Sequence, residues 1–259
     1  MGLFGRILTN LEDVRDFGPA FVLRHLARAR KDRIARVNAR GVAIHVRAGD
    51  SDVAAVRQVF ARNEYNIGLK PLAGRVDARY REILAAGQVP VVIDAGANIG
   101  AATLWFKRKY PQAAVVAIEP DPGNAALLRR NVAGLDQVRV MEAAIGARAG
   151  FVSLMSGDGD KSWAVQTQRA ETGVPIVTIQ DALAQVPDGA PFIAKIDIEG
   201  FEKDLFSENI DWIDDMAEVV IEPHDWMLPG QYSSAAFQQA FGARRFEMLH
   251  RGENILYIR

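Results

Sequence analysis

The chain has 259 residues, 49% apolar and 24% charged, with 31 Lys and Arg against 32 Asp and Glu. That length suits one large domain, or a medium one with an extension, of ordinary globular composition. The near-zero net charge offers no footprint for nucleic acid, and the absence of cysteine excludes disulfides, thiolate metal sites and thiol nucleophiles.

No run of about 18 apolar residues predicts a membrane span. The start, MGLFGRILTN, lacks the apolar core and small-residue cleavage site of a leader peptide, so a cytoplasmic protein is expected. Residues 1–40 read as one or two Arg-rich helices broken at Gly18-Pro19, with Leu23, Leu26 and Ile34 as an apolar stripe. GVAIHVRAG alternates like a strand, and SDVAAVRQVFARN reads as a helix capped by Ser51 or Asp52. EYNIGLKPLAG reads as a loop and RVDARYREILAAG as a helix ending at Gly87. From residue 90, strands and helices alternate. The strands are VPVVIDAG, AAVVAIEP, VRVMEAAIG, FVSLM, VPIVTI, PFIAKIDIEG and AEVVIEPH, and the hairpin RFEMLHR/NILYIR closes the chain. The pattern predicts an α/β fold with a mostly parallel, doubly covered sheet. Ligands bind such sheets at the C-terminal strand ends. Chemistry is therefore sought at Asp94 to Gly100, Glu119, Glu142, Asp197 to Gly200, and Glu222 to Asp225.

VVIDAGANIG is a buried strand that breaks into Gly96, Asn98 and Gly100. A dinucleotide site wants G-x-G-x-x-G, but the central glycine is Asn98, and Asp94 would repel a pyrophosphate. S-adenosylmethionine reverses that sign, because its sulfonium and ammonium are cationic. Glu119 follows Gly96 by 119 − 96 = 23 residues and ends the next strand, where a carboxylate can accept both ribose hydroxyls.

These pieces resemble the FkbM family of class I S-adenosylmethionine-dependent methyltransferases. The resemblance is carried by VVIDAGANIGAATLWF, AIEPDPGNAALLRRNV, AAIGARAGFVSL, VPIVTIQDAL and above all IAKIDIEGFEKDLF with VVIEPH. It covers about Val42 to Arg259. It implies a Rossmann-like core with a seven-stranded, doubly wound sheet, placed at 89–259; residues 1–88 read separately as a helical extension or lid containing a short strand. It implies cofactor contacts from Asp94, Gly96, Ala97, Asn98, Gly100 and Glu119, with Pro120 shaping the turn and Glu142 placed for adenine. It also implies methylation of a hydroxyl on a small molecule or saccharide, leaving S-adenosylhomocysteine.

An alcohol reacts poorly unless its proton is removed, so a base is sought beside the methyl. Asp197 and His224 are the two choices, with Lys195 beside them. A divalent cation held by Asp197, Glu222 and His224 is the other route. The competing structural reading makes Lys195, Asp197 and Glu199 an ion-pair network and puts Glu202 on a solvated helix face. Trp105, Phe106, Phe192 and Phe206 have core spacing. Tyr65, Trp163 and Trp226 are candidates for the substrate rim, with Glu199 and Glu222 as polar contacts. The segment from Tyr65 to Tyr80 is read as a lid, an acceptor wall or a homodimer face. Two rivals remain: a nicotinamide-dependent Rossmann oxidoreductase, and a module that binds the cofactor without turnover.

Overall fold

The structure is a computed structural model and describes residues 11–26, 34–47, 50–156 and 165–259. The chain begins with α1 (residues 11–17) and α2 (Pro19–Leu26), followed by the antiparallel hairpin β1 (Ile34–Ala39) and β2 (Val42–Arg47). Reading residues 34–39 as helix was wrong. IARVNA buries every second residue, with Ala35, Val37 and Ala39 facing inward, and Arg40 and Gly41 both take positive φ in the two-residue turn. Next come α3 (Asp52–Val56), continued by a π-helical turn at Arg57–Ala61, and α4 (Lys70–Ala85). α4 starts five residues before the expected Arg75, because Pro71 in its first turn suits a helix start rather than a loop.

The core then runs β3 (Val89–Ala95), α5 (Ala101–Lys109), β4 (Ala114–Ile118), α6 (Pro122–Val132) and β5 (Val138–Met141). It continues through β6 (Ala144–Ile145), β7 (Gly150–Ser156), β8 (Val165–Ala170), β9 (Val174–Val177) and α7 (Ile179–Leu183). The last part is β10 (Gly189–Ile196), α8 (Glu202–Leu205), β11 (Glu218–Ile221), α9 (Ala235–Gly242), β12 (Glu247–Arg251) and β13 (Asn254–Ile258). Seven strands form one sheet in the order β12-β13-β11-β10-β3-β4-β5. It is parallel from β11 to β5, and β13 runs antiparallel to both neighbours. The α/β doubly wound sheet is as expected. VRVMEAAIG, however, is not one strand: β6 leaves the main sheet and joins β9, β7 and β8 in a second sheet. VQTQRA, given no strand from sequence, is β8.

Both faces of the main sheet are covered, which is why its strands read as unbroken apolar runs. Val91 and Ile93 of β3 pack with Ile118, Ile196, Phe206 and Phe237. Val92 faces the other way, into a cluster that includes Val37, Ile44, Val56 and Ile83. The N-terminal hairpin and helices thus share a core with the sheet. Phe192 packs against Tyr80 and Tyr110, Phe206 against Trp212, and Trp105 against Phe106, in line with their core spacing.

Candidate active site

The glycine turn is shaped by its neighbours before any ligand is considered. Gly96 has φ 72°, and a Cβ there would lie 1.7 Å from the backbone oxygen of Asp197. Gly100 has φ 87°, and its Cβ would meet Leu128 Cδ1 at 2.6 Å, so this glycine serves the packing of α5 on α6. Ala97 is buried against Leu128 and Val132.

Asp94 lines neither cavity of the site. It is fully buried, accepts from Thr103 Oγ1 at 2.5 Å, and lies 3.4 Å from Lys195 Nζ, its cross-strand partner on β10. The strand ends on a carboxylate because a buried ammonium faces it. Lys195 also pairs with Asp197 at 3.2 Å and donates to the carbonyls of Ala95 and Gly96. Burial opposes its charge, but Asp197 and Asp94 outweigh burial and hold it well above the usual lysine range. Lys195 thus ties the ends of β3 and β10 to the glycine turn.

Glu119 follows β4 and is 5% exposed. Its Oε2 accepts from Asn98 N at 2.8 Å, and its Oε1 accepts from Asp121 N at 3.0 Å and Asn124 Nδ2 at 3.3 Å. Burial pushes its pKa up to about 7, and the donors restrain the rise. Glu119, Gly96, Asn98 and Pro120 line one cavity, with Ile145 and Phe201 on its apolar side. Asn98 Oδ1 is buried without a hydrogen-bond partner. Glu142 does not reach this cavity. It pairs with Arg129 at 2.9 Å on the surface, because the chain leaves the sheet after Met141 and turns Ala143 to Ile145 inward instead. Trp163 lies outside the described residues.

A second cavity of about 330 Å³ adjoins the first. Tyr65 lies on its floor rather than its rim: it is 3% exposed, with its ring 5.6 Å from Phe106. Trp226, 67% exposed, is a rim residue. Glu222 and Gln58 also line it, and Gln58 Nε2 donates to Glu222 Oε2 at 2.9 Å. Gly96, Asn98, Asp197 and Glu199 line both cavities and so form the wall between them.

His224 stands beside that wall, 1% exposed, and also lines the second cavity. Its Nδ1 lies 2.8 Å from Glu202 Oε1, and its Nε2 lies 3.5 Å from Asp197, 3.6 Å from Glu199 and 4.0 Å from Glu222. Burial alone would lower its pKa. The bond to Glu202 and the charges of Glu202, Asp197 and Glu199 reverse that and push it up to about 10. The surrounding carboxylates thus favour positive charge at this ring position. Burial, then the charge of Asp197, pushes Glu199 and Glu222 up to about 8, against the pull of His224. Glu202 is also a correction: it is 1% exposed and hydrogen-bonded, not on a solvated face. Among the described residues, the donors close enough to share a cation are Asp197, Glu199 and His224, so Glu199 replaces Glu222 in the expected triad.

The Methyltransferase FkbM domain family matches residues 94–253. The chain belongs to that family. Its curated relatives include methyltransferase sdnD of Sordaria araneosa, 30% identical over 152 residues, 45% of this chain and 59% of the relative. They also include 2-O-methyltransferase NoeI of Sinorhizobium fredii, 40% identical over 77 residues, 29% of this chain and 32% of the relative. The chain thus spans less than two thirds of either relative. A crystal structure of a methyltransferase from Geobacter sulfurreducens is 17% identical, with 80% of this chain and 88% of that chain covered at a TM-score of 0.37.

Two site residues of this FkbM-family chain were not legible in sequence. Gln58 lies 164 positions from the Glu222 it bonds. Glu202 has its role only because α8 folds back against His224. The spacing E-G-x-E after a strand was the one available signal.

Proposed function

We propose that this FkbM-family chain is an S-adenosylmethionine-dependent O-methyltransferase acting on a hydroxyl of a small molecule or saccharide. The observation that carries the reading is the pair of adjoining cavities with Asp197 and Glu199 in their common wall. The 2-O-methyltransferase named among its relatives supports the choice of oxygen as acceptor.

The first cavity suits the cofactor. Glu119 offers oxygens to paired ribose hydroxyls, Ile145 and Phe201 offer an apolar wall to a base, and the orphan Asn98 Oδ1 would take a donor from the amino-acid end. When bound, the cofactor supplies an electrophilic methyl whose carbon–sulfur bond breaks, with its electron pair going to sulfur, as an acceptor oxygen bonds the carbon. The chain's residues do the remaining work. The second cavity orients the hydroxyl, with Tyr65 beneath it and Trp226 at its edge. A carboxylate of the common wall, Asp197 or Glu199, takes the hydroxyl proton as the new bond forms. Lys195 holds Asp197 and the glycine turn in one geometry. His224, oriented by Glu202, faces both carboxylates with its Nε2.

The test is calorimetric titration with S-adenosylmethionine, S-adenosylhomocysteine and a nicotinamide dinucleotide, followed by methyl transfer to a panel of sugars and hydroxylated metabolites. Binding of only the adenosyl compounds, with turnover on a hydroxyl, is the expected result. Heat from the dinucleotide alone would point to the oxidoreductase, and binding without turnover on any acceptor to a non-catalytic module.

A further inference from the structure

We propose that Asp197, Glu199 and His224 form a site for one first-row divalent cation in the wall between the two cavities. One ligand atom from each residue lies within 4.8 Å of the others. The spacing is that of metal ligands rather than of hydrogen bonds. Two donors about 2.1 Å from a metal, at a tetrahedral angle, stand roughly 3.4 Å apart. His224 Nε2 stands 3.5 Å from Asp197 Oδ1 and 3.6 Å from Glu199 Oε2.

The donors face one another inside the fold. The imidazole is 1% exposed, and its Nε2 points at the Asp197 and Glu199 carboxylates at 3.5 and 3.6 Å. Glu199 Oε2 is buried and without a hydrogen-bond partner. The opposite ring nitrogen is already engaged: Nδ1 meets Glu202 Oε1 at 2.8 Å. A carboxylate behind an imidazole fixes the N–H on the far nitrogen and turns the near lone pair toward a metal, as in carboxylate–histidine–metal arrangements. One nitrogen and two carboxylate oxygens suit manganese, iron or zinc better than magnesium or calcium, which prefer oxygen alone. Asp197 and Glu199 also line the acceptor cavity, so open coordination positions would face acceptor hydroxyls. The role in catalysis rests on the function proposed above, but the binding does not.

The experiment is electron paramagnetic titration of the purified full chain with Mn²⁺, without nucleotide. The expected result is one Mn²⁺ per chain at micromolar Kd, displaced by Zn²⁺ but not by equimolar Mg²⁺. Asp197→Asn, Glu199→Gln and His224→Gln should each weaken it by at least about tenfold, and Glu202→Gln by about tenfold. Glu247→Gln, at an exposed pair with Arg75, should change nothing. Glu199 lies in a partly exposed loop, so Glu199→Gln decides the matter if His224→Gln fails to fold. No binding, equal displacement by Mg²⁺, or indifference to these variants overturns the site. A parallel titration with S-adenosylhomocysteine separates the two readings. Binding of it without Mn²⁺ defeats only the cation site, and Mn²⁺ without it defeats only the cofactor assignment.

Discussion

Gly96 joins local backbone to distant structure. Its positive φ suits glycine, and the carbonyl of Asp197 occupies the place of any Cβ. Gly96→Ala should cost more than about 3 kcal/mol in chemical denaturation, because strain and overpacking act together. Full retention of stability would show that the two strand ends are not locked. Glu119 makes a pH prediction. With its pKa raised to about 7, part of the population is neutral near neutrality, and only the ionised form accepts two hydroxyl donors. Affinity for S-adenosylhomocysteine should therefore rise about tenfold from pH 6 to pH 8 and flatten above. Glu119→Gln should abolish that slope, and an unchanged slope would remove Glu119 from the ribose site.

Short elements aim the site. The stretch from the end of β10 into α8 places Asp197, Glu199 and Glu202 around one imidazole within six residues, and Glu199 does so at φ 53°. A left-handed glutamate costs roughly 1–2 kcal/mol. Glu199→Gly should therefore raise the melting temperature while lowering methyl transfer, which a thermal scan beside an assay would register. α7 is capped by Thr178, which accepts from Asp181 N while Asp181 answers the Thr178 N–H. Thr178→Ala should cost about 1 kcal/mol in denaturant unfolding, without altering cofactor affinity. Asp52, fully buried, binds Arg47 through backbone and guanidinium, and Arg47 reaches Asn124 beside Glu119. This joins β2 and α3 to the first cavity, which Asn124 and Glu119 line. Asp52→Ala would leave Arg47 only its longer pair with Asp50 and should cost about 2 kcal/mol in denaturant unfolding.

Across the whole molecule, Glu218 sets an acid-side preference. It opens β11, buried between β10 and β13, and burial pushes its pKa up to about 7. The folded state keeps a proton that an unfolded glutamate loses near pH 4.5, so stability falls as pH rises from about 4.5 to 7 and is level above. Glu218→Gln should match the wild type at pH 5 and exceed it by about 3 kcal/mol at pH 8. Equal stability at both pH values would mean that Glu218 has found a charged partner. No described helix is long and apolar enough to cross a membrane.

The sequence by itself determined the alternation of doubly buried strands and helices, the closing hairpin and the strand ends where polar residues gather. These follow from period and composition, which are local. It misassigned residues 34–39 because Arg-rich flanks masked an alternation of small residues that only a packed face makes visible. It placed Gly96, Asn98, Glu119, Asp197 and Glu199 correctly at the strand ends but could not say which way each side chain turns. Tertiary structure turned Asp94 toward Lys195, sent Glu142 to the surface and brought Glu202 under His224. Charge decided the rest. The state of an imidazole depends on every carboxylate within a few ångströms, and those carboxylates meet only when β10, α8 and β11 pack.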